Sequence, residues 1–172
     1  ISNRIKSLLS AGSQESRNSS HQLQYNHLVQ KTWLFTFATK TIETSLTSEN
    51  YTSRNFEVLG YQINPKISYL FNKNASLDFF YEYQNKENQI GTFDKLLQSR
   101  FGTSFSYASD KRFTINGEIS LYQNQFTGDA LSPVAFQMLE GLQPGKNSTW
   151  RLLLQKNLTE FLDVNLNYQG RK

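Results

Sequence analysis

The residues of this sequence that could do acid–base chemistry are carboxylates at the spacing of strand neighbours. Asp78 and Glu82 lie four residues apart in an alternating segment, so both side chains fall on one face, and Glu118 is expected on a nearby strand. Paired carboxylates can transfer protons or cleave glycosides. Beside cations such as Arg100 or Arg151 they form ion pairs instead. We expect a solvated or plugging polar network and no catalytic residues.

Other kinds of site have weak support. His21 and His27 lie six residues apart, which on a continuous strand is too far to share a metal, although an intervening turn would allow pairing. The chain has no cysteine, which excludes disulfides, thiol catalysis and Cys-ligated zinc. The GLQPG segment at 141–145 lacks the strand-to-helix context and the Lys-Ser/Thr pair of a phosphate loop. We therefore predict no enzyme, no metal and no cofactor.

Composition narrows the function classes. The 172 residues are 37% hydrophobic and 14% aromatic, which is an unusual balance for a conventional aliphatic core and too aromatic for a disordered chain. The net charge of +4 is scattered, with no basic stripe, so nucleic acid is not an expected partner. The sequence contains no run of about 18 apolar residues, so it predicts no membrane-spanning helix.

Alternation of apolar and polar residues indicates about eight strands over residues 20–172. Residues 1–19 are predicted to be a loop or the end of a preceding segment. Pro65 predicts a bulge, or an error in the third strand, and Gly102 and Gly117 predict bends or close approach of backbones. The predicted strands cover about 17–25, 32–47, 54–71, 75–86, a hairpin within 100–126, 148–156 and 161 to the end.

Aromatic residues gather on one face of these strands, opposite acids and amides. The aromatics predicted to face lipid are Trp33, Phe35, Phe37, Tyr69, Phe79, Tyr81, Phe105, Tyr107, Trp150 and Tyr168. The connections alternate in length. Short ones are predicted near 26–31, 72–74, 108–111 and 157–160, and long ones near 48–53, 87–98 and 127–147.

The longest connection, 127–147, carries apolar residues that a simple loop does not need. PVAFQMLEGL could form a short amphipathic helix that caps a barrel, folds into it or docks a partner. The residues predicted for such a plug or partner contact are Leu131, Val134, Phe136, Met138 and Leu142. Packing within the loop itself is the alternative.

Together these features are typical of an all-β, antiparallel, up-and-down transmembrane β-barrel. Outer-membrane barrels have lipid-facing apolar residues, aromatic girdles, a polar interior, short periplasmic turns and long outer loops. A soluble carbohydrate-binding β-sandwich also alternates, but there the apolar faces pack on each other.

Several segments resemble the C-terminal β-barrel region of large, mostly uncharacterised outer-membrane proteins of Bacteroidota. The similarity is carried by AFQMLEGLQPGKN at 135–147, W-x-L-x-L-Q-K from Trp150, and the closing L-x-Y-x-G-R-K, with NHLVQKTW and NPKISYLF as weaker elements. It covers residues 20–172 and brings no catalytic or ligand motif. Members usually continue through a further strand to a terminal aromatic residue, so we expect this segment to form part of a larger barrel.

The expected function is a non-enzymatic surface anchor or a subunit of an outer-membrane assembly or secretion complex. Its long loops would face the cell exterior, and its expected partners are outer-membrane lipid or lipopolysaccharide and other outer-membrane proteins or surface lipoproteins. The alternatives are a nutrient transporter or porin-type barrel, similar to TonB-dependent receptors, and the soluble sandwich.

Overall fold

The structure, a computed structural model, describes residues 2–9, 12–91, 93–109, 113–159 and 161–172. These residues form one nine-stranded sheet and one short helix, α1 (Pro133–Leu139). A 3₁₀ turn, Thr52–Arg54, precedes the fourth strand. The strands are β1 (Ser2–Leu9), β2 (Gly12–Val29), β3 (Trp33–Ser48), β4 (Phe56–Asn72), β5 (Ala75–Asn88), β6 (Lys95–Ser109), β7 (Phe113–Thr127), β8 (Gly145–Thr159) and β9 (Leu162–Arg171).

The sheet is an antiparallel meander, as predicted. Every strand pairs with its neighbours in sequence, and the spatial order runs from β1 to β9 without a crossover. Among the described residues β1 pairs only with β2 and β9 only with β8, so the sheet is open. The seven strands β2–β8 are 14 to 18 residues long. Most strands of globular proteins have about 5–6 residues.

The connections confirm the predicted alternation from β2 onwards. Those at one end of the sheet take two or three residues, and those at the other end take six or more. The fully described short connections are 30–32 and 73–74, and the fully described long ones are 49–55 and 128–144. The predicted turns at 108–111 and 157–160 fall partly outside the described residues.

The described residues of segment 1–19 do not form the loop that was one of the two predictions for this segment. Residues 2–9 form β1, and β2 begins at Gly12, in register with β3 through Gln14↔Ser48. Most residues of the segment are polar, and its few apolar residues do not alternate regularly, so it lacks the pattern that reveals a strand in sequence. The hydrogen bonds of a neighbouring strand are sufficient to hold such a segment extended.

Pro65 lies within β4 and does not create a bulge. The register with β5 is the same on both sides of it, from Ile63↔Tyr83 to Lys66↔Phe80. Proline has no N–H to donate, and the β4–β5 pairing is interrupted at this point without shifting. The strand assignment was therefore right and the predicted bulge wrong.

The first long loop is tied to the start of β2. The Ser13 N–H donates to the Glu49 carboxylate at 3.0 Å, and the Glu49 N–H donates to the Ser13 carbonyl at 3.2 Å. The hydrogen bonds from Ser13 lower the pKa of Glu49, because they favour the ionised carboxylate. The contribution of the bond to the carboxylate is therefore fully present at neutral pH and is lost as pH falls through the lowered pKa, whereas the backbone bond does not titrate.

Candidate functional site

The two faces of the sheet differ in chemistry. The register places apolar residues opposite one another from strand to strand, for example Trp33 opposite Tyr69 and Leu77 opposite Phe105. All of the aromatics predicted to face lipid lie on this side of the sheet by strand register. We call it the aromatic face. The side that carries Glu82 and Arg100 is the polar face.

The aromatic face is uncovered in the part of the chain that the structure describes. Phe79 is 45% exposed, Ile119 56% and Tyr168 59%. No described element packs on this face, because the only buried apolar cluster lies on the other side of the sheet. Soluble monomers rarely leave an apolar patch of more than about 600 Å² in water. The face therefore needs a covering medium or layer.

The aromatic face carries one continuous apolar stretch on β7. On β7 it runs from Phe113 to Leu121, nine residues or about 30 Å along the strand. Leu121 pairs with Phe101, and two residues further Gln123 pairs with Ser99. A strand tilted by about 40° would carry this stretch across roughly 23 Å, close to the ~25 Å apolar band of outer-membrane barrels.

The polar face carries an ion-pair network around Arg100, as the sequence predicted. Arg100 lies 2.5 Å from the Glu118 carboxylate and 3.8 Å from that of Glu82. Gln62 donates to Glu82 at 2.7 Å, and Ser120 accepts from Arg100 Nε at 3.1 Å. These partners lie on three strands, β4, β5 and β7, so the register between strands brings them together around Arg100 on β6. We call it the Arg100 network.

The guanidinium of Arg100 is also held by two aromatic rings. It lies 4.8 Å from the ring centre of Phe80 and 5.3 Å from that of Tyr122, both within cation–π range. Gly102 makes room for this arrangement, since a Cβ there would stand 2.3 Å from Phe80 Cζ. The close approach at Gly102 is made by side chains and not by a second backbone as predicted, and Gly117 faces open space.

Gly102→Val should destabilise the sheet by about 1–3 kcal/mol, because the added methyls overpack Phe80 and displace it from Arg100. Gly117→Val on the next strand is the matched control, since a Cβ there meets nothing within 4 Å. Urea unfolding of both variants measures the difference. Equal unfolding midpoints would contradict the packing role of Gly102.

The carboxylates singled out in the sequence are ion-paired. Asp78 shares the polar face with Glu82, and its carboxylate lies 3.8 Å from Lys66 Nζ and accepts from Ser104 at 3.2 Å. Arg151 stands opposite Glu118 in the register but, among the described residues, no carboxylate lies within 4.0 Å of it. This arrangement is a polar network.

The longest loop folds onto the polar face. Its helix α1 begins with Pro133 and is capped by Ser132, whose hydroxyl accepts from the Ala135 N–H at 3.0 Å. It ends at Glu140 in the left-handed region, φ 54°. Seven residues are too few for a stable isolated helix, so the sheet must stabilise it. The sequence predicted a helix here, and the structure confirms it.

An apolar cluster holds α1 against the sheet. Met138 and Ala135 are fully buried and Leu139 nearly so. They pack against Phe56, Val58 and Leu96, which lie at the long-loop ends of β4 and β6. The apolar–polar alternation of the sequence does not indicate that these residues contact the loop. The cluster comprises Phe56, Val58, Leu96, Val134, Ala135, Met138 and Leu139, with Leu46 and Phe126 packed against it.

Polar contacts fix the rest of the loop. Lys86, which is 5% exposed, donates to the Met138 carbonyl at 3.0 Å and to Glu140 at 2.7 Å. This places a cation at the negative end of the helix. Arg171 donates to the Gly141 carbonyl at 2.7 Å, so the loop reaches from β5 to β9.

The residues predicted for plug or partner contact divide into two groups. Val134 and Met138 are buried against the polar face, and Leu142 is half-buried at its edge. Leu131 and Phe136 point away from the sheet, 94% and 71% exposed. Sequence reasoning missed the receiving residues on the sheet because their pairing with the loop is long-range.

The histidines lie apart. His21 and His27 are both on β2, with no turn between them, and their register partners place both on the aromatic face. His27 stacks on Tyr25 with ring centres 6.4 Å apart. No group of three or more metal-ligating side chains occurs within the described ranges.

Helices do not provide a membrane crossing here: within the described residues none is both long and apolar enough to span a bilayer. Comparison with protein-family models, with curated proteins and with solved structures finds no match for this chain.

Proposed function

We propose that this sheet is part of the wall of an outer-membrane β-barrel, with the aromatic face against lipid and the polar face toward the lumen. The observation that carries the proposal is the uncovered aromatic face, whose apolar stretch on β7 is about 30 Å long. Lipid offers no hydrogen bonds to backbone, so the open edges at β1 and β9 must be paired, with each other or with further strands.

The biological role that fits best is a non-enzymatic surface anchor, or a subunit of an outer-membrane assembly or secretion complex. The loop at 128–144 lies across the polar face and is fixed there by Lys86 and Arg171. A lumen occupied in this way suits an anchor whose exposed loops contact lipopolysaccharide, surface lipoproteins or other outer-membrane proteins. The sequence resemblance to surface proteins of Bacteroidota supports the same compartment.

A transport role, as in a porin or a nutrient receptor, is the second candidate. It is favoured by a polar groove of about 370 Å³ on the polar face, lined in part by Gln24, Lys66, Asp78 and Arg100. Planar-bilayer recordings separate the two roles. The anchor role predicts a closed barrel, and steady open-channel conductance from the full chain would favour transport.

Alkaline carbonate extraction of the membrane fraction tests the membrane assignment itself. We expect the full chain to stay in the membrane pellet, because the aromatic face is held by hydrocarbon and not by charge. Release into the supernatant, together with a cooperative melt in detergent-free buffer, would overturn the barrel and favour the soluble sandwich.

A further inference from the structure

A second groove lies on the polar face between β7–β9 and the returning loop. Its volume is about 620 Å³, within the range of roughly 300–1,000 Å³ that small-molecule sites occupy. Its lining includes Tyr122, Glu140, Thr149, Arg151, Gln169 and Arg171. We call it the Arg151 groove. It faces away from the aromatic face, so what it binds does not depend on what covers that face.

The charge of the Arg151 groove is unbalanced. Its two carboxylates are already engaged, since Glu118 pairs with Arg100 at 2.5 Å and Glu140 pairs with Lys86 at 2.7 Å. Within the described part of the chain, no carboxylate comes within 4.0 Å of Arg151 or Arg171. Two guanidinium charges in a concave site are therefore left without a counter-charge.

The two arginines can act on one ligand. Arg151 pairs with Gln169 and Arg171 with Thr149, so the arginines are diagonal neighbours on adjacent strands, about 7–8 Å apart at the backbone. Arg171 uses one N–H on the Gly141 carbonyl and keeps its other donors. Guanidinium forks match the geometry of carboxylate and phosphate groups.

The rest of the lining suits hydroxyl groups. Thr149, Gln169 and Tyr122 each bring a side chain that donates and accepts hydrogen bonds. An oxyanion alone would leave most of the 620 Å³ empty. We propose that the Arg151 groove binds a small anionic sugar, with Arg151 and Arg171 on the phosphate or carboxylate and the neutral side chains on the ring hydroxyls.

The test is isothermal titration of the full chain in detergent micelles with glucose 6-phosphate, with glucose and inorganic phosphate as separate arms. We expect saturable binding of glucose 6-phosphate, and about 10-fold weaker binding in Arg151→Gln and in Arg171→Gln. Arg54→Gln is the matched control, because it removes the same charge from the distant 3₁₀ turn. It should leave the affinity unchanged.

The separate titrations with glucose and inorganic phosphate, together with a check of folding, distinguish loss of the site from loss of the fold. Arg151→Gln is the decisive variant, because Arg171 also holds the loop and its loss can disturb the fold. Unfolding midpoints in urea identify any such disturbance. Glucose binding as tightly as glucose 6-phosphate would overturn the anion assignment, and equally tight phosphate binding would overturn the sugar assignment. No saturable binding, or an equal loss in Arg54→Gln, would overturn the site.

Discussion

Ile119→Lys should destabilise the membrane-inserted protein by about 2–4 kcal/mol, the cost of a lysine near the bilayer midplane on the lipid side of a barrel. Ile119 is 56% exposed and lies two residues from Gly117, the centre of the apolar stretch 113–121 of β7. Its register neighbours on the aromatic face are Thr103 and Trp150. The measurement is urea unfolding of the full chain from lipid vesicles.

The same strand offers the control. Gln123→Lys places the same charge on the same face, four residues along, where the partners are Ser99 and Lys146 and the apolar stretch of β7 has ended. We expect it to change the unfolding free energy by no more than about 1 kcal/mol, as for charges near the interface. Equal effects of the two lysines would mean that the apolar stretch does not mark the lipid band.

Met138→Ala should release the loop 128–144 from the polar face. Met138 is fully buried between α1 and the sheet, and truncation of a buried methionine costs about 2–5 kcal/mol. A seven-residue helix has little stability of its own, so most of this loss should appear as local opening. Hydrogen exchange of the α1 amides should accelerate, with new protease cleavage within the loop.

Leu131→Ala is the control for that experiment. Leu131 belongs to the same loop but is 94% exposed, so its truncation removes almost no packing. Its exchange rates should match those of the unchanged chain. Should Leu131→Ala and Met138→Ala open the loop to the same extent, the apolar cluster would not be what holds α1 in place.

The strands from β3 onward were predictable because each carries a regular apolar–polar alternation. The hairpin of β6 and β7 is the clearest case, with Phe101 and Leu121 on the face opposite Arg100 and Glu118. That alternation is a local property of the sequence, set by the two-residue period of a strand. The strand β1 lacks it, and it was missed.

The arrangement on the polar face was only partly predictable. The parity of Asp78, Glu82 and Glu118 along their strands gave the shared face, but pairing with Arg100 depends on the register between strands. The sheet residues against which α1 packs could not be predicted from the sequence. Val58 and Met138 are far apart in sequence, and nothing in the alternation shows that the loop returns to the sheet.

Tryptophan fluorescence in lipid vesicles tests the central claim most directly. The chain has two tryptophans, Trp33 and Trp150, and both lie on the aromatic face, so all indole emission reports on that face. The barrel proposal predicts strong quenching by phospholipids brominated along the acyl chain and weak quenching by aqueous iodide. Strong iodide quenching with no effect of the brominated lipids would place these rings in water and contradict it.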